Sequence, residues 1–541
     1  MDTISNKFHT IAVILIIIFC FALTPVTLQN DTYYTIKIGE YIMENGITGI
    51  DPFSWHDGLS YTFPHWAYDV LMYKIYDIGG FNLIYFSTVF FSCILGVCIY
   101  MVNVKLNKNK FISFVVTLGA MYFLRDYIAA RAQLITFILF ILEIYFIERF
   151  LQSRKKRYAV YLILASIVIA NLHSAVWPFF FVLFLPYIGE YIIYYLANLP
   201  KYILGIEKKL LQKKIEKTQI SQEETEILQA KINRYNAQTE KRNKNAYKII
   251  LQKNPATLWL IGILIVCILV GFLTPLGTTP YTYLIKTMQG NTTQNINEHL
   301  PLTLYDNLEF MAVIIIFLAI LIFTDTKIQL KDLFFLGGLL FLAFMSRRQI
   351  SMFILIGNVI LVRMIEIFLN KYDKQICTKI EKDITTTFGK IAVSVIIVFI
   401  SLQIIKPKID DSIVNSNSYP VEASEYILEN IELENMRLFN EYNYGSYLLF
   451  KGIPVFIDSR ADLYTPEFNE GVNIFSDFLN ISNIGTYYED KFEEYGITHI
   501  IIYKNAKLNM FLSRDENYLQ LYSDDSFCIY ERLTNNGKDV L

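Results

Sequence analysis

Long apolar runs separated by short polar segments dominate the first 405 residues of the chain. A helix needs about 20 mostly apolar residues to cross the hydrocarbon core of a membrane, which is about 30 Å thick. By this criterion the pattern predicts about eleven membrane-spanning helices. They cover residues 9–26, 81–103, 111–124, 133–150, 158–172, 175–196, 256–275, 309–324, 333–345, 350–369 and 389–405. The chain is therefore expected to be a polytopic α-helical membrane protein.

Lysine and arginine predict the orientation of these helices, because loops rich in them stay in the cytoplasm. Basic residues concentrate in residues 105–110, 154–157, 197–255 and 370–388. The first long loop, 27–80, contains only Lys37 and Lys74. We therefore predict a cytoplasmic N-terminus, an outer loop at 27–80, and an extracytoplasmic C-terminal region, in a protein of the plasma membrane.

Two segments have the composition of parts that lie outside the membrane. Residues 201–255 are rich in Lys, Glu and Gln with loosely helical apolar spacing, which predicts a cytoplasmic amphipathic helix or helical hairpin. Further on, short apolar runs alternate with helical stretches, which predicts a small α/β domain. Its expected strands are 436–440, 453–458, 498–503 and a hairpin of 518–522 with 526–531, and its expected helices include 421–432 and 486–495. We accordingly divide the chain into a membrane domain, 1–405, and an outer α/β domain, 406–541.

Composition supports this class and excludes others. The chain of 541 residues is 54% hydrophobic and 18% charged, with a mean hydropathy of +0.36. Soluble domains carry roughly 25% charged residues. A long soluble enzyme, a disordered protein and a basic nucleic-acid-binding domain are all poor fits, and we expect no nucleic-acid partner. The six cysteines form no CxxC or Cys/His cluster, so neither a zinc site nor a disulfide framework is expected.

Ionisable residues gather at the predicted outer ends of the helices. They are Asp31, Arg125, Asp126, Arg131, His173, Glu298, His299, Arg347 and Arg348. Charged groups near membrane depth are costly, so they mark sites or structural ion pairs. The outer loop adds two stretches with helical spacing, 33–44 and 66–77, which we expect to lie along the interface. A loop of this length that is not simply polar is a lid or binding loop more often than a spacer.

The order of motifs resembles the GT-C superfamily, integral-membrane glycosyltransferases that take a sugar from a polyprenyl-phosphate carrier. The resemblance rests on the following residues: Asp31 after the first span, Gly39 and Gly46 before Asp51-Pro52-Phe53-Ser54, His65-Trp66, Arg131-Ala132-Gln133-Leu134, Asn171-Leu172-His173, Tyr444-Gly445-Ser446-Tyr447-Leu448 and Ile457-Asp458-Ser459-Arg460. Known relatives are protein O-mannosyltransferases, lipid A aminoarabinose transferases and oligosaccharyltransferases, and the order is most similar to uncharacterised prokaryotic members. It implies transfer of a sugar from a lipid-linked donor to a lipid, glycan or protein acceptor in the cell envelope, amid membrane lipids.

The resemblance also implies residue roles. Asp31 matches the acid that acts as general base or holds the acceptor, since an acceptor hydroxyl or amine must lose a proton as it attacks the sugar. The departing phosphate needs positive charge or hydrogen bonds. A guanidinium group binds phosphate in a bidentate manner, with two parallel hydrogen bonds to its oxygens. We expect donor-phosphate binding by Arg125, Arg131, Arg347 and Arg348, and substrate binding by Asp51, His65, Trp66, His173 and Glu298. The paired acids that hold a metal in oligosaccharyltransferases are not evident, so no metal or other cofactor is expected.

Each assignment has a structural alternative. Asp31 is also explained as a solvated acid at a helix end, and the arginines as partners of nearby acids or of lipid headgroups. His173 fits a hydrogen-bonded structural histidine equally well, and Glu298 a surface pair with His299. For residues 458–462 we favour an Asp–Arg clamp over a ligand site.

Two other functions remain open from the sequence. A transporter or flippase of lipid-linked saccharides would show internal repeats or charges near the membrane midplane, and neither is evident. A non-catalytic envelope-assembly scaffold would use the outer domain for binding. The inner loops show neither a D-x-D motif nor a glycine-rich phosphate loop, which argues against a nucleotide sugar as direct donor.

Overall fold

The computed structural model describes residues 2–217, 222–243, 248–290, 292–373 and 375–533. The part before residue 406 is almost entirely helical, with one short parallel pair of strands. Its helices are α1 (Asp2–Leu23), α2 (Asn30–Asn45), α3 (Trp66–Asn107), α4 (Lys110–Phe123), α5 (Ala132–Ser153), α6 (Lys156–Leu172), α7 (Trp177–Val182), α8 (Leu185–Lys217), α9 (Gln222–Asn243), α10 (Thr257–Leu269), α11 (Thr279–Gln289), α12 (Thr292–Asn295), α13 (Leu308–Phe323), α14 (Leu330–Met345), α15 (Ile350–Tyr372), α16 (Ile376–Thr385) and α17 (Thr387–Ile405), and its strands are β1 (Ile249–Ile250) and β2 (Ile328–Gln329).

Every predicted span falls on one or more of these helices. Four helical segments of the described chain are long and apolar enough to cross a membrane: Trp66–Asn107, Ser174–Leu199, Arg347–Tyr372 and Thr387–Lys408. Shorter apolar helices are Lys7–Leu23, Lys110–Phe123, Thr257–Phe272 and Leu308–Phe323. The apolar helices agree with a membrane protein, whereas the number of spans and their orientation stay predictions.

Helix α3 combines the expected interfacial helix and the expected second span. Gly79 (φ −151°, ψ 20°) and Gly80 (φ 60°, ψ −157°) leave helical geometry and break α3 between the two parts. The φ of Gly80 is strained for residues that carry a Cβ atom, which explains why glycine stands there. The break in α3 therefore coincides with the predicted end of the first outer loop at residue 80. Helix α2 covers the other stretch for which helical structure was expected.

The insert is helical where the structure describes it. Helix α8 continues to Lys217, and α9 covers Gln222–Asn243. The expected helical hairpin is consistent with these two helices, although the predicted segment 201–255 also includes residues 218–221 and 244–247, which lie outside the described ones.

The C-terminal part forms a small sheet covered by short helices. The helices are α18 (Val421–Asn430), α19 (Tyr442–Phe450), α20 (Ile474–Ser482), α21 (Tyr488–Tyr495) and α22 (Asn509–Leu512), and the strands are β3 (Leu438–Phe439), β4 (His499–Tyr503), β5 (Tyr518–Ser523) and β6 (Phe527–Arg532). The strand order is β3-β4-β6-β5, with β3 parallel to β4 and the other pairs antiparallel. The expected hairpin of β5 and β6 is confirmed, and Asp524 accepts backbone hydrogen bonds from Ser526 and Phe527 at its turn.

One expected strand is wrong. Residues 453–458 form no strand of the sheet; Val455 makes a single bridge to Ser54 of the first outer loop. The segment is buried because that loop packs onto it, and burial alone had produced the strand-like pattern. Loop and outer domain share one hydrophobic core, in which the Tyr33 ring meets Tyr419 and Tyr447 at centroid distances of 4.8 and 5.0 Å.

Candidate active site

Asp31, Arg131 and Glu298 meet at the start of two helices. Asp31 lies in the first turn of α2, and Arg131 is the extended residue that precedes α5. One terminal nitrogen of Arg131 contacts a carboxylate oxygen of Asp31, and the other lies 3.2 Å from Oε1 of Glu298. The Asp31 side chain is 16% exposed. The structure thus joins three of the expected site residues into one hydrogen-bonded unit with access to solvent.

The charges of this unit stabilise one another. Burial alone would lower the pKa of Arg131, but the Asp31 and Glu298 carboxylates outweigh it and raise that pKa. Burial alone would raise the pKa of Glu298, but the Arg131 and Arg348 charges outweigh it and lower that pKa. The N-terminus of α2 adds a favourable dipole next to the Asp31 carboxylate. Arg131 and Glu298 therefore stay ionised near neutral pH.

A buried pair of histidines forms a second group. The rings of His65 and His173 lie 4.9 Å apart between centroids, and His173 Nδ1 is 3.0 Å from the Thr136 hydroxyl. Burial, followed by the charges of Arg348 and Arg131, lowers the pKa of His65 to about 3. The pKa of His173 is lowered as well, first by burial. Both imidazoles are therefore neutral at physiological pH.

The backbone around His65 is fixed to the turn that follows α6. The Pro64 carbonyl accepts hydrogen bonds from the backbone N–H and the hydroxyl of Ser174 at 3.0 and 2.8 Å. The Trp66 indole donates to Asn171 at 3.2 Å. These contacts hold the first outer loop against the membrane helices. They give Trp66 a positioning role, in addition to the substrate contact expected for it.

The four arginines differ in what they contact. Arg125 bonds Glu309 at 3.2 Å and lies over the Tyr122 ring. Arg347 donates to the Pro301 carbonyl at 3.3 Å. Among the residues that the structure describes, Arg348 has no ion-pair partner, although its charge lowers the pKa of His65, His173 and His299. Arg348 is thus a cation beside the histidine pair that makes no direct ion pair among the described residues, although its charge also acts on Glu298.

The outer domain closes the other side of the site. The Asn30 amide, next to Asp31, donates to the Tyr442 carbonyl at 2.9 Å. Asp462 accepts hydrogen bonds from Thr287 and Thr292 at 3.0 and 3.4 Å, which fixes the segment that leads to Glu298. Burial raises the pKa of Asp462 despite these hydrogen bonds. The outer domain therefore supports both the Asp31 and the Glu298 sides of the unit.

Residues 458–460 form the expected clamp, and it includes Asp51. Arg460 donates to Asp51 Oδ1 at 2.5 Å and to both oxygens of Asp458 at 2.9 and 2.6 Å, while the Tyr464 hydroxyl donates to Asp458 at 2.6 Å. The side chains of Asp51 and Asp458 are 0% exposed. Because a substrate cannot reach Asp51 in this arrangement, we leave it out of the proposed substrate site.

Two residues of the site were not singled out from the sequence. Tyr34 stands three residues after Asp31 on α2, and the Asp31 charge contributes to raising its pKa after burial. The pKa of Tyr442 is raised by burial and then by the Asp31 charge. Helical i, i+3 spacing would have indicated Tyr34, whereas nothing local marks Tyr442. No group of three His, Cys, Asp or Glu side chains suited to a metal ion occurs within the described ranges.

Comparisons with known proteins give matches only to solved structures. No protein-family model and no curated protein sequence matches the chain. The oligosaccharyltransferase of Archaeoglobus fulgidus, tethered to an acceptor peptide with an NVT sequon, has a TM-score of 0.53 at 12% identity, over 98% of this chain and 75% of that one. Its apo form gives 0.54 at 12%, over 93% and 70%. Its complex with an inhibitory peptide and a dolichol-phosphate gives 0.50 at 11%, over 97% and 74%.

At this level of identity the comparison establishes the fold and not the reaction. The likeness extends over nearly the whole chain, including the membrane helices and the outer domain. The expected resemblance is therefore confirmed at the level of the fold: the chain has the GT-C fold of these oligosaccharyltransferases.

Proposed function

We propose that the chain is a glycosyltransferase of the plasma membrane that moves a sugar from a polyprenyl-phosphate carrier to a lipid, glycan or protein acceptor at the outer face. The observation that carries the proposal is the pair of contacts that Arg131 makes, one with Asp31 and one with Glu298, beside the outer domain. The similar archaeal enzyme has been solved with a dolichol-phosphate and with peptides, which supports a lipid-phosphate donor and a separate acceptor for this chain.

In this proposal Asp31 is the general base. The acceptor hydroxyl or amine gives its proton to the Asp31 carboxylate as its oxygen or nitrogen bonds to C1 of the sugar. The bond between C1 and the phosphate oxygen breaks, and its electron pair leaves with the polyprenyl phosphate. Arg131 holds the carboxylate in position, and Glu298 shares the Arg131 charge, so that the base is not fully neutralised.

Arg348 is the arginine best suited to the leaving phosphate. A cation that is not held in a direct ion pair is free to stabilise the negative charge that develops on the phosphate during the reaction. Arg125 and Arg131 already contact carboxylates, and Arg347 contacts a backbone carbonyl. The two histidines beside Arg348 are neutral. They can form hydrogen bonds with the phosphate, and Arg348 supplies the positive charge. In this proposal Arg131 positions the Asp31 base, and Arg348 binds the phosphate of the donor.

The test compares two aspartates of the same region. Asp31→Asn keeps the size of the side chain and removes the base, so transfer from a polyprenyl-phosphate sugar is expected to fall by about 10²–10⁴-fold. Asp126→Asn is the matched control, since the Asp126 side chain is 76% exposed. Equal expression and equal elution on gel filtration show that both variants fold. Undiminished transfer by Asp31→Asn excludes Asp31 as the base.

A further inference from the structure

A polar cavity of about 330 Å³ lies at the ends of the helices remote from Asp31. Helix α5 connects the two places, with Arg131 at its start and Glu148 in the cavity wall. At 1.5 Å per residue these two positions are about 26 Å apart along the helix. The charged side chains that line the cavity are Glu148, Glu190, Lys331, Arg363 and Glu366. The cavity is therefore separate from the proposed active site.

The two cations of the wall are already paired. Lys331 Nζ lies 2.6 Å from Glu148 Oε1, and Arg363 lies 3.3 Å from the same oxygen. Arg363 also donates to both oxygens of Asp332 at 2.7 Å. The side chains of Glu148, Lys331 and Asp332 are at most 8% exposed. Because these contacts occupy both cations, the cavity has little positive charge to offer an anionic ligand.

Two carboxylates of the wall lack such partners. In the part of the chain that the structure describes, neither Glu190 nor Glu366 has a basic group within 4.0 Å. Glu190 accepts a long hydrogen bond, of 3.4 Å, from the Gln252 backbone. The charge of Lys331 acts on Glu190, and the charges of Lys108 and Arg363 act on Glu366, without a direct ion pair. Four carboxylates, with Asp332 included, are thus balanced by three cations at most: Lys331 and Arg363 in the wall, and Lys108 farther away. Glu190 is buried and Glu366 is half-buried. Because an uncompensated buried charge is costly, the cavity favours one additional positive charge.

The dimensions and the walls indicate an organic cation. The described residues include no group of three acidic or histidine side chains suited to a metal ion, and a cavity of about 330 Å³ has room for more than a bare ion. The side-chain amides of Asn107 and Gln329 supply hydrogen-bonding groups, and Tyr191 supplies an aromatic ring. Carboxylates, amide oxygens and aromatic rings are the groups that bind an ammonium ion.

We propose that this cavity binds an organic ammonium group. The group comes either from the headgroup of an ethanolamine phospholipid or from a small soluble amine. Its ammonium donates to Glu190 and Glu366 and completes the charge balance of the wall. Binding at this end of the helices is independent of sugar transfer, so its failure leaves the proposed function untouched.

The test uses the full-length protein in detergent and in lipid nanodiscs, with unfolding followed by tryptophan fluorescence. Ethanolamine is expected to raise the unfolding temperature in a saturable way, whereas ethylene glycol, which has a hydroxyl in place of the ammonium, does not. The lipid is identified as the source by two results together. The unfolding temperature is higher in nanodiscs of phosphatidylethanolamine than in nanodiscs of phosphatidylglycerol, and added ethanolamine has no further effect in the former. A response that persists in both nanodiscs identifies the soluble amine.

Variants separate binding from folding. The double variant Glu190→Gln with Glu366→Gln is expected to weaken ethanolamine binding at least tenfold. Gln252→Trp fills the cavity from an exposed wall position without changing its charge, and is expected to do the same. Asp325→Asn is the control, because Asp325 is an exposed carboxylate outside the cavity wall. An unchanged unfolding temperature with every amine, or an equal response in the double variant, overturns the proposal.

Discussion

The clamp at Arg460 links the first outer loop to the outer domain, and its removal gives the sharpest stability prediction. All of the hydrogen-bonding groups of its guanidinium, Nε and both terminal nitrogens, contact Asp51 or Asp458. The guanidinium also lies over the Tyr61 ring, 4.8 Å from its centroid. Arg460→Met keeps much of the side-chain volume and removes the charge, which leaves two buried carboxylates without a cation.

The magnitude follows from this burial. The Arg460 side chain is 3% exposed and both carboxylates are 0% exposed, so solvent cannot replace the lost contacts. Removing one partner of a buried ion pair costs about 3–5 kcal/mol. At about 1.4 kcal/mol for each factor of ten, the lower bound corresponds to a more than hundredfold rise in the open population of the outer domain. Neutralising Asp51 and Asp458 together with Arg460 should recover part of this loss.

Hydrogen exchange measures that population. Amides of β4, in the centre of the sheet, exchange only through large openings, so their exchange should speed up more than a hundredfold in Arg460→Met. Arg514→Met is the control, because Arg514 is exposed in the same domain. Exchange of β4 at the wild-type rate in Arg460→Met, or an equal effect of Arg514→Met, would refute the role of the clamp in stabilising the outer domain.

Three further predictions concern the pH response, the outer loop and the donor. Burial chiefly lowers the pKa of His56 from 6.5 to about 4, so the unfolded chain binds a proton in that window that the folded chain does not. The free energy of unfolding therefore falls as the pH drops from 6.5 towards 4. Urea unfolding at pH 7 and pH 5 should show that His56→Asn loses less of this free energy than the wild type does. An equal loss in the two proteins contradicts this prediction. A Cβ atom at Gly39 would lie 2.1 Å from the Asp69 carbonyl, so Gly39→Ala should separate α2 from α3 and lower both the unfolding temperature and transfer, and unchanged values would show that the contact relaxes freely. Arg348→Met should lower kcat for transfer from the lipid-linked donor at least tenfold and Arg125→Met should not, whereas equal effects would remove the distinction between these arginines.

The positions of the helices could be predicted because their signals are local. Apolar runs located the apolar helices, and Gly79-Gly80 located the break in α3 because glycine tolerates the backbone geometry found there. The run at 453–458 misled because burial between two layers gives the same apolar pattern as burial in a sheet. A local apolar pattern indicates that a segment is buried, but it does not identify the segment that packs against it.

The site could be predicted only in part, because its contacts join distant segments. Glu298 lies 167 residues from Arg131 in the chain, and no spacing rule connects them. The sequence predicted that both residues lie at the same end of the helices, and their contact agrees with this prediction. The sequence also predicted Asp51 to be a substrate ligand. The structure shows Asp51 paired with Arg460 instead, 409 residues away. Such a pairing depends on how the outer domain packs on the loop.

The most direct test of the account measures the fate of the donor. Purified protein in proteoliposomes is incubated with polyprenyl-phosphate sugars and candidate acceptors, and released polyprenyl phosphate is measured by chromatography. Release of polyprenyl phosphate is expected to require an acceptor and to be lost in Asp31→Asn. Movement of the intact donor across the bilayer, with no polyprenyl phosphate released, would contradict this expectation and identify a transporter of lipid-linked saccharide.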